Sequence, residues 1–428
     1  MSSVAEIVRE GRILSRQVKE ESSLELETAR DRGLCQTILP WRKSDNRSDN
    51  RLHGMISRVG GFPPSLARYF VARYSKSGDT ILDPFCGKGT TLLEAICLGR
   101  NAVGGDIAPD AVVVSRAKCS RLSIAAIAKY VEQLARLRRH AKSAVPDDVA
   151  IFFSRTTLRQ LLPIRERILE DMQSSKNRDV ATFVCGVLLG ILHGHSRLSL
   201  SLPCNQAFAM SPNYVRRYVA EHDLKRPDRD VCKCVLEKAL AFLPVPKTDS
   251  TGRVFCAPAQ QCDRFMARTR TAATLVLTSP PYLNRQTYIK DSWLRLWFLQ
   301  SNRAEQTTKT LETGNVLSFV KGLQEVLPAM CRALVTGGRV VMVCGHANIS
   351  LRGQDCAARV ADLCLYALHS MEKQKCFVVE RLIKDKKLMT RGSYYAVHRG
   401  HVNGKNGLPR RRYGEDEILI LRKVAPND

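Results

Sequence analysis

Apolar positions along this chain follow two rhythms. From about residue 51 to 120, and again from about 251 onward, short apolar runs alternate with amphipathic stretches. Thr80 to Asp83, Ala102 to Ile107, Arg253 to Cys256, Leu275 to Leu277, Arg339 to Val343 and Glu417 to Leu421 read as strands buried on both faces. Between them lie helical stretches: Leu66 to Val71, opened by Pro63-Pro64, and Thr90 to Leu98, ended by Gly99. Such alternation predicts an α/β domain on a mostly parallel sheet. Residues 121–250 switch to a helical period, with Ile124, Ile127, Tyr130, Leu134 and Leu137, then Phe183, Val187, Leu188, Ile191 and Leu192. That block reads as a helical insertion splitting the α/β domain into 51–120 and 251–428. Residues 1–50 form a polar N-terminal arm in which Ile7, Ile13, Leu14 and Val18 make one helix face and Ser44 to Asn50 a loop.

Charge changes the picture most. The 67 Lys and Arg against 41 Asp and Glu leave +26 on 428 residues, a self-repulsion that makes a polyanion the expected partner, nucleic acid ahead of an anionic membrane. No run approaches the ~18 apolar residues that span a bilayer, and the first residues carry no signal-peptide core, so a cytoplasmic location is expected. Fifteen cysteines, odd in number and scattered through apolar runs (Cys86, Cys97, Cys185, Cys344, Cys364), read as reduced thiols. Cys232-Lys233-Cys234 lacks zinc-ligand spacing, and His193 and His195 read as structural, so no metal is expected.

Two stretches carry chemistry. Ser279-Pro280-Pro281-Tyr282 follows a strand, where open α/β sheets place their sites. Its prolines make a rigid turn that cannot extend the ladder, with carbonyls and an aromatic face turned outward, suited to a flat ring bearing an amine. Asp83-Pro84-Phe85-Cys86-Gly87-Lys88-Gly89-Thr90-Thr91 links a strand to a helix. It is neither a P-loop nor a dinucleotide fingerprint, since Leu92 stands at the third glycine position. Asp106 ends the next strand about 20 residues on, where a carboxylate meets ribose hydroxyls. Ribose without pyrophosphate points to a nucleoside cofactor; the plain alternatives are a tight βα turn and a helix-capping aspartate.

Together these stretches resemble the amino-methyltransferases that modify N4 of cytosine or N6 of adenine in DNA with S-adenosylmethionine. The resemblance covers roughly 52–120 and 251–424 and implies a Rossmann-like, seven-stranded, mostly parallel sheet. It further implies that Phe85, Gly87 and Gly89, flanked by Asp83 and Thr90, line the methionine part, that Asp106 holds the ribose, and that Phe62 and Pro63 cover the amino-acid end. Ser279, Pro280, Pro281 and Tyr282 would hold a base turned out of double-stranded DNA. The family's acid near the adenine falls at Ala257 to Ala259, where none occurs; Asp263 follows. Serine at the head of the tetrapeptide leans the reading to cytosine N4 over adenine N6, although the order of the two motifs differs from many cytosine enzymes.

The resemblance implies site-specific methylation, with a restriction nuclease as a partner class and 121–250 as a target-recognition region. RNA base methylation and a catalytically silent DNA-binding subunit are the rivals. Ser279 Oγ and the Pro280 carbonyl would accept the amine hydrogens, and Tyr282 would stack on the base. Cys204, in a Pro-Cys pair, lacks the acidic partner that a C5-cytosine nucleophile needs. Phe208 to Tyr218, and the tail from Arg381 with twelve Lys and Arg against five Asp and Glu, offer basic and aromatic groups to nucleic acid. In the tail these are Lys384, Lys386, Lys387, Arg391, Arg410, Arg411 and Arg412.

Overall fold

The computed structural model describes residues 3–30, 41, 50–57, 61–137, 144–194, 196–202, 212–243, 248–281, 292–301, 311, 313, 315–351, 354–371, 376–388 and 413–425. Tyr282, Cys204, His195, Phe208 to Ser211 and Arg391, Arg410, Arg411 and Arg412 lie outside these residues.

Seven strands form one sheet: β1 (Thr80–Asp83), β2 (Asn101–Asp106), β3 (Gly252–Cys256), β4 (Ala273–Thr278), β5 (Leu334–Cys344), β8 (Phe377–Leu388) and β9 (Tyr413–Lys423), in the order β3-β2-β1-β4-β5-β9-β8. The first five are mutually parallel, and β9 is antiparallel to both neighbours. From β1 the chain works outward through β2 and β3, then returns to lay β4 on β1's other side. The crevice above β1 and β4 is therefore the switch point at which such sheets bind ligands.

Alternation along the strands sorts the core into two layers. Ile81, Ala102, Leu275, Leu277, Val341 and Val343 face α2 (Pro64–Tyr74) and α3 (Thr90–Cys97). Leu82, Val103, Val276, Val340 and Met342 face α1 (Val4–Arg30), α10 (Cys262–Thr269), α12 (Val316–Ala333) and α13 (Val360–His369). On α1 the buried side runs through Ile7, Val8, Gly11 and Ser15, and a Cβ on Gly11 would come within 2.3 Å of the Asp362 carbonyl oxygen. Ile13, expected on that side, is 49% exposed; two residues from Gly11 is about 200° around a helix, the opposite face.

The crossover from β2 to β3 contains α4 (Pro109–Cys119) and then α5 (Ile124–Ala135), α6 (Arg155–Gln173), α7 (Arg178–Ile191), α8 (Pro212–His222) and α9 (Val231–Leu240). These helices share one core with Leu52, Met55, Ile56 and the outer side of α4, and with α11 (Trp293–Phe298). Small residues make the seam: a Cβ on Gly186 would sit 2.8 Å from Ala117 Cβ, and one on Gly190 1.9 Å from the Met55 carbonyl oxygen. The pair β6 (His346–Leu351) and β7 (Gln354–Arg359) forms a separate antiparallel hairpin beyond β5.

Neither the hairpin nor β8 is foretold by the apolar pattern. Within β8, Arg381, Lys384, Asp385, Lys386 and Lys387 break the apolar rhythm, and the register shifts between Val379 and Arg381. Lys384 is exposed on this edge strand, where charge discourages pairing with another sheet.

Candidate active site

β1 ends in Asp83, which is buried, and the chain turns through Gly87 and Gly89 into α3. Both glycines are left-handed, at φ +48 and +72. A Cβ on Gly89 would meet Ser115 Oγ at 2.7 Å, whereas one on Gly87 would find only the Phe85 carbonyl oxygen at 3.9 Å. Gly89 is thus required by packing as well as by conformation, and Gly87 leaves open space beside the loop.

Asp106, at the end of β2, fixes the loop from the side. Its Oδ2 accepts from Gly87 N–H at 2.9 Å and its Oδ1 from Ala108 N–H at 2.9 Å. The carboxylate is half-buried and so holds the loop at the edge of the crevice. From beneath, Ser115 Oγ donates to the Gly87 carbonyl at 2.9 Å and Lys118 Nζ to the Lys88 carbonyl at 2.6 Å. Lys118 is buried, and burial pushes its ammonium down to about 7. Neither residue stands out in the sequence, because Lys118 shares its helix with Asp110 and Arg116 and nothing in its spacing sets it apart.

The second stretch meets the first directly. Thr278 Oγ1, at the end of β4, donates to Asp83 Oδ1 at 2.6 Å, and Phe85 N–H reaches the same oxygen at 3.2 Å. Thr91 Oγ1 donates to the Leu277 carbonyl at 3.1 Å. Burial raises the Asp83 carboxyl to about 6 against the pull of these donors. Ser279 is half-buried, and its hydroxyl donates to the Val343 carbonyl at 2.9 Å. Pro280 is buried and Pro281 half-buried.

Phe62 is buried and Pro63 caps α2. Gly61 lies against the glycine loop, where a Cβ would stand 3.1 Å from Lys88 Cε. The Phe62-Pro63 segment, the glycine loop, Asp106 and Ser279 therefore gather at one end of the sheet. Asp263 takes another course: its Oδ2 accepts from Arg332 Nε at 2.8 Å on α12, while Ala257 N–H bonds the Asp106 carbonyl at 3.1 Å.

One polar atom in the loop lacks a hydrogen-bond partner among the described residues: Thr90 Oγ1, buried at the first position of α3. An orphaned hydroxyl, a carboxylate at the end of β2 and a glycine with open space beside it suit a ribose joined to an amino acid, as in S-adenosylmethionine.

Comparison with known proteins agrees. Residues 14–116 match the family model described as DNA methylase, a match that begins inside the segment expected as an arm. The chain is similar to the type II methyltransferase M.MjaII of Methanocaldococcus jannaschii, 30% identical over 105 residues, 24% of this chain and 20% of that protein. It is similar to M.BsoBI of Geobacillus stearothermophilus, 24% identical over 359 residues, 74% of this chain and 67% of that one. Over 49 residues it is 51% identical to a tRNA (guanine(10)-N2)-dimethyltransferase of Methanothermobacter thermautotrophicus, 11% of this chain and 15% of that protein. The chain thus spans about a fifth of the first of these relatives and about two thirds of the second. Residues 14–116 thus match a DNA methylase model, and the chain is similar over parts of its length to type II DNA methyltransferases, on a mostly parallel α/β sheet whose motifs gather at one end.

Proposed function

We propose that the protein transfers a methyl group from S-adenosylmethionine to an exocyclic amine of a base in double-stranded DNA, at cytosine N4 in preference to adenine N6. The hydrogen bond between Thr278 and Asp83 carries the reading, because it stitches the strand that delivers Ser279 to the loop that opens the cofactor site. Phe85, Gly87, Gly89 and Thr90 would hold the methionine part, with Phe62 and Pro63 closing over it. Asp106 would take the ribose hydroxyls while keeping Gly87 in place. Asp83 serves this site as the strut between β1 and β4.

S-adenosylmethionine supplies an electrophilic methyl group on a positive sulfur. An aromatic amine is a weak nucleophile because its lone pair is shared with the ring. Ser279 Oγ, its own proton held by Val343, accepts one amine hydrogen, and the Pro280 carbonyl accepts the other. Both draw the lone pair onto nitrogen as positive charge develops there, which is stabilisation directed at the transition state. Tyr282 would stack on the base once it leaves the duplex. The +26 charge supports a DNA substrate, and a restriction nuclease acting on the same sequence is the partner class this implies.

The second reading is methylation of an RNA base amine, favoured by the local identity to the tRNA enzyme. Purified protein given labelled cofactor with duplex DNA or tRNA separates them. Label in DNA is the expected outcome; label in tRNA alone would reverse the proposal. Mass spectrometry of digested product DNA then decides between N4-methylcytosine, the expected product, and N6-methyladenine.

A further inference from the structure

Past the ten residues that follow Pro281 the described chain resumes at Ser292 and forms α11, only six residues long. A helix of that length cannot hold its place by its own ladder. Two buried arginines hold it. Arg295, on α11 itself, donates through Nη2 to the Ser57 carbonyl at 2.9 Å and through Nε to the Leu189 carbonyl at 3.3 Å. Its Nη1 stands 4.0 Å from Asp110 Oδ2, which also accepts from Ser292 Oγ at 3.0 Å. These bonds tie α11 to the start of α4, just beyond Asp106, to the segment that leads towards Phe62, and to α7.

The other arginine comes from the insertion. Arg165, in the middle of α6 and 4% exposed, donates through Nε to the Phe298 carbonyl at 2.8 Å and through Nη2 to the Trp297 carbonyl at 2.7 Å. Its guanidinium lies 4.7 Å from the Trp297 ring centroid. The planar fork thus satisfies two carbonyls at the C-terminal end of α11, where a helix has no internal donors and favours a cation. A lysine there would offer a point charge without the fork or the stacked plane.

We propose that Arg165 is a positioning residue for methyl transfer. Through α11, it makes the helical insertion the anchor for the chain that follows the Ser279-Pro280-Pro281 turn. The inference rests on the DNA-methylation reading above. It gives the insertion a role at the reaction centre apart from any contact it makes with DNA, and it separates the two arginines by what each should alter. Arg295, bonded to the elements around Asp106 and Phe62, should affect cofactor binding as well as transfer. Arg165, bonded to α11 alone, should spare cofactor binding.

The test compares Arg165→Met and Arg165→Lys with Arg167→Met in the full-length protein. Arg167 lies on the same helix and pairs with Asp171 at 2.8 Å, so its loss perturbs the insertion without touching α11. Expected for Arg165→Met are amide exchange over 292–300 at least tenfold faster than wild type, S-adenosylmethionine affinity by calorimetry within twofold, and single-turnover transfer to duplex DNA at least tenfold slower. Arg165→Lys should recover part of the rate. Unchanged exchange over 292–300, an unchanged transfer rate, or an equal loss of transfer in Arg167→Met would each overturn the inference. A wild-type protein that transfers no methyl group to DNA would overturn the functional reading and this inference together, an outcome distinct from an active wild type with a normal Arg165→Met.

Discussion

Gly89 carries two demands at one residue, a left-handed backbone and the absence of a Cβ within 2.7 Å of Ser115 Oγ. Gly89→Ala should therefore lose about 1–3 kcal/mol in denaturant unfolding and weaken cofactor binding with it. Asp106→Ala removes the acceptor for Gly87 and Ala108 together, so its S-adenosylmethionine affinity should fall at least about tenfold, each lost charged hydrogen bond being worth about 1.5–3 kcal/mol; unchanged affinity in calorimetry would remove Asp106 from the cofactor site. At Asp83, burial favours the protonated carboxyl. That contribution to stability is fully present below the ordinary value of 3.8 and is lost as pH rises through about 6. Melting temperatures from pH 4 to 7 should show Asp83→Asn gaining on wild type as pH rises, since asparagine has no proton to lose. Gly87, Gly89, Asp106 and Ser279 stand out as candidates in the sequence because their residue types and spacing advertise their chemistry, and the fold gathers them at one end of the sheet. Ser115 and Lys118 were not, because their work consists of bonds to carbonyls that only the fold brings near.

At the scale of elements, α7 lies so close to the 50–57 segment that the separation is set by glycine. Gly190→Ala would drive a Cβ to 1.9 Å from the Met55 carbonyl oxygen, against backbone that cannot swing aside as a side chain can. It should lower stability by about 3 kcal/mol or more, whereas Gly54→Ala, with nothing within 4 Å of the new Cβ, should be neutral within about 0.5 kcal/mol. Thermal unfolding of the two variants checks both. The helices of 121–250 were legible from their apolar period, and so were the parallel strands from their unbroken apolar runs. β8 and the β6–β7 hairpin were not. The hairpin strands carry no apolar run to announce them, and in β8 the pairing with β9 is distant in sequence while the charges of an edge strand hide the alternation. α11 escaped for a different reason, since six residues are too few to show a period.

Across the whole molecule, the excess of 67 basic over 41 acidic residues predicts binding dominated by phosphate contacts. The logarithm of DNA affinity should fall with the logarithm of salt at a slope of about −4 or steeper. Filter binding from 50 to 200 mM salt measures it, and a flat dependence would assign the charge to another partner. The global charge was readable at once, but which face carries it was not, because basic residues are spread over the arm, insertion and tail. The Thr278–Asp83 bond joins residues 195 positions apart. A ribosome adding ~5–20 residues each second lays down the glycine loop ~10–40 s before the strand that buttresses it. Until then the nascent chain has β1, β2 and α3 but no wall beside Asp83, so the cofactor cannot serve as an early folding template. Methyl-donor binding should first appear only in nascent chains that include β4 and β5.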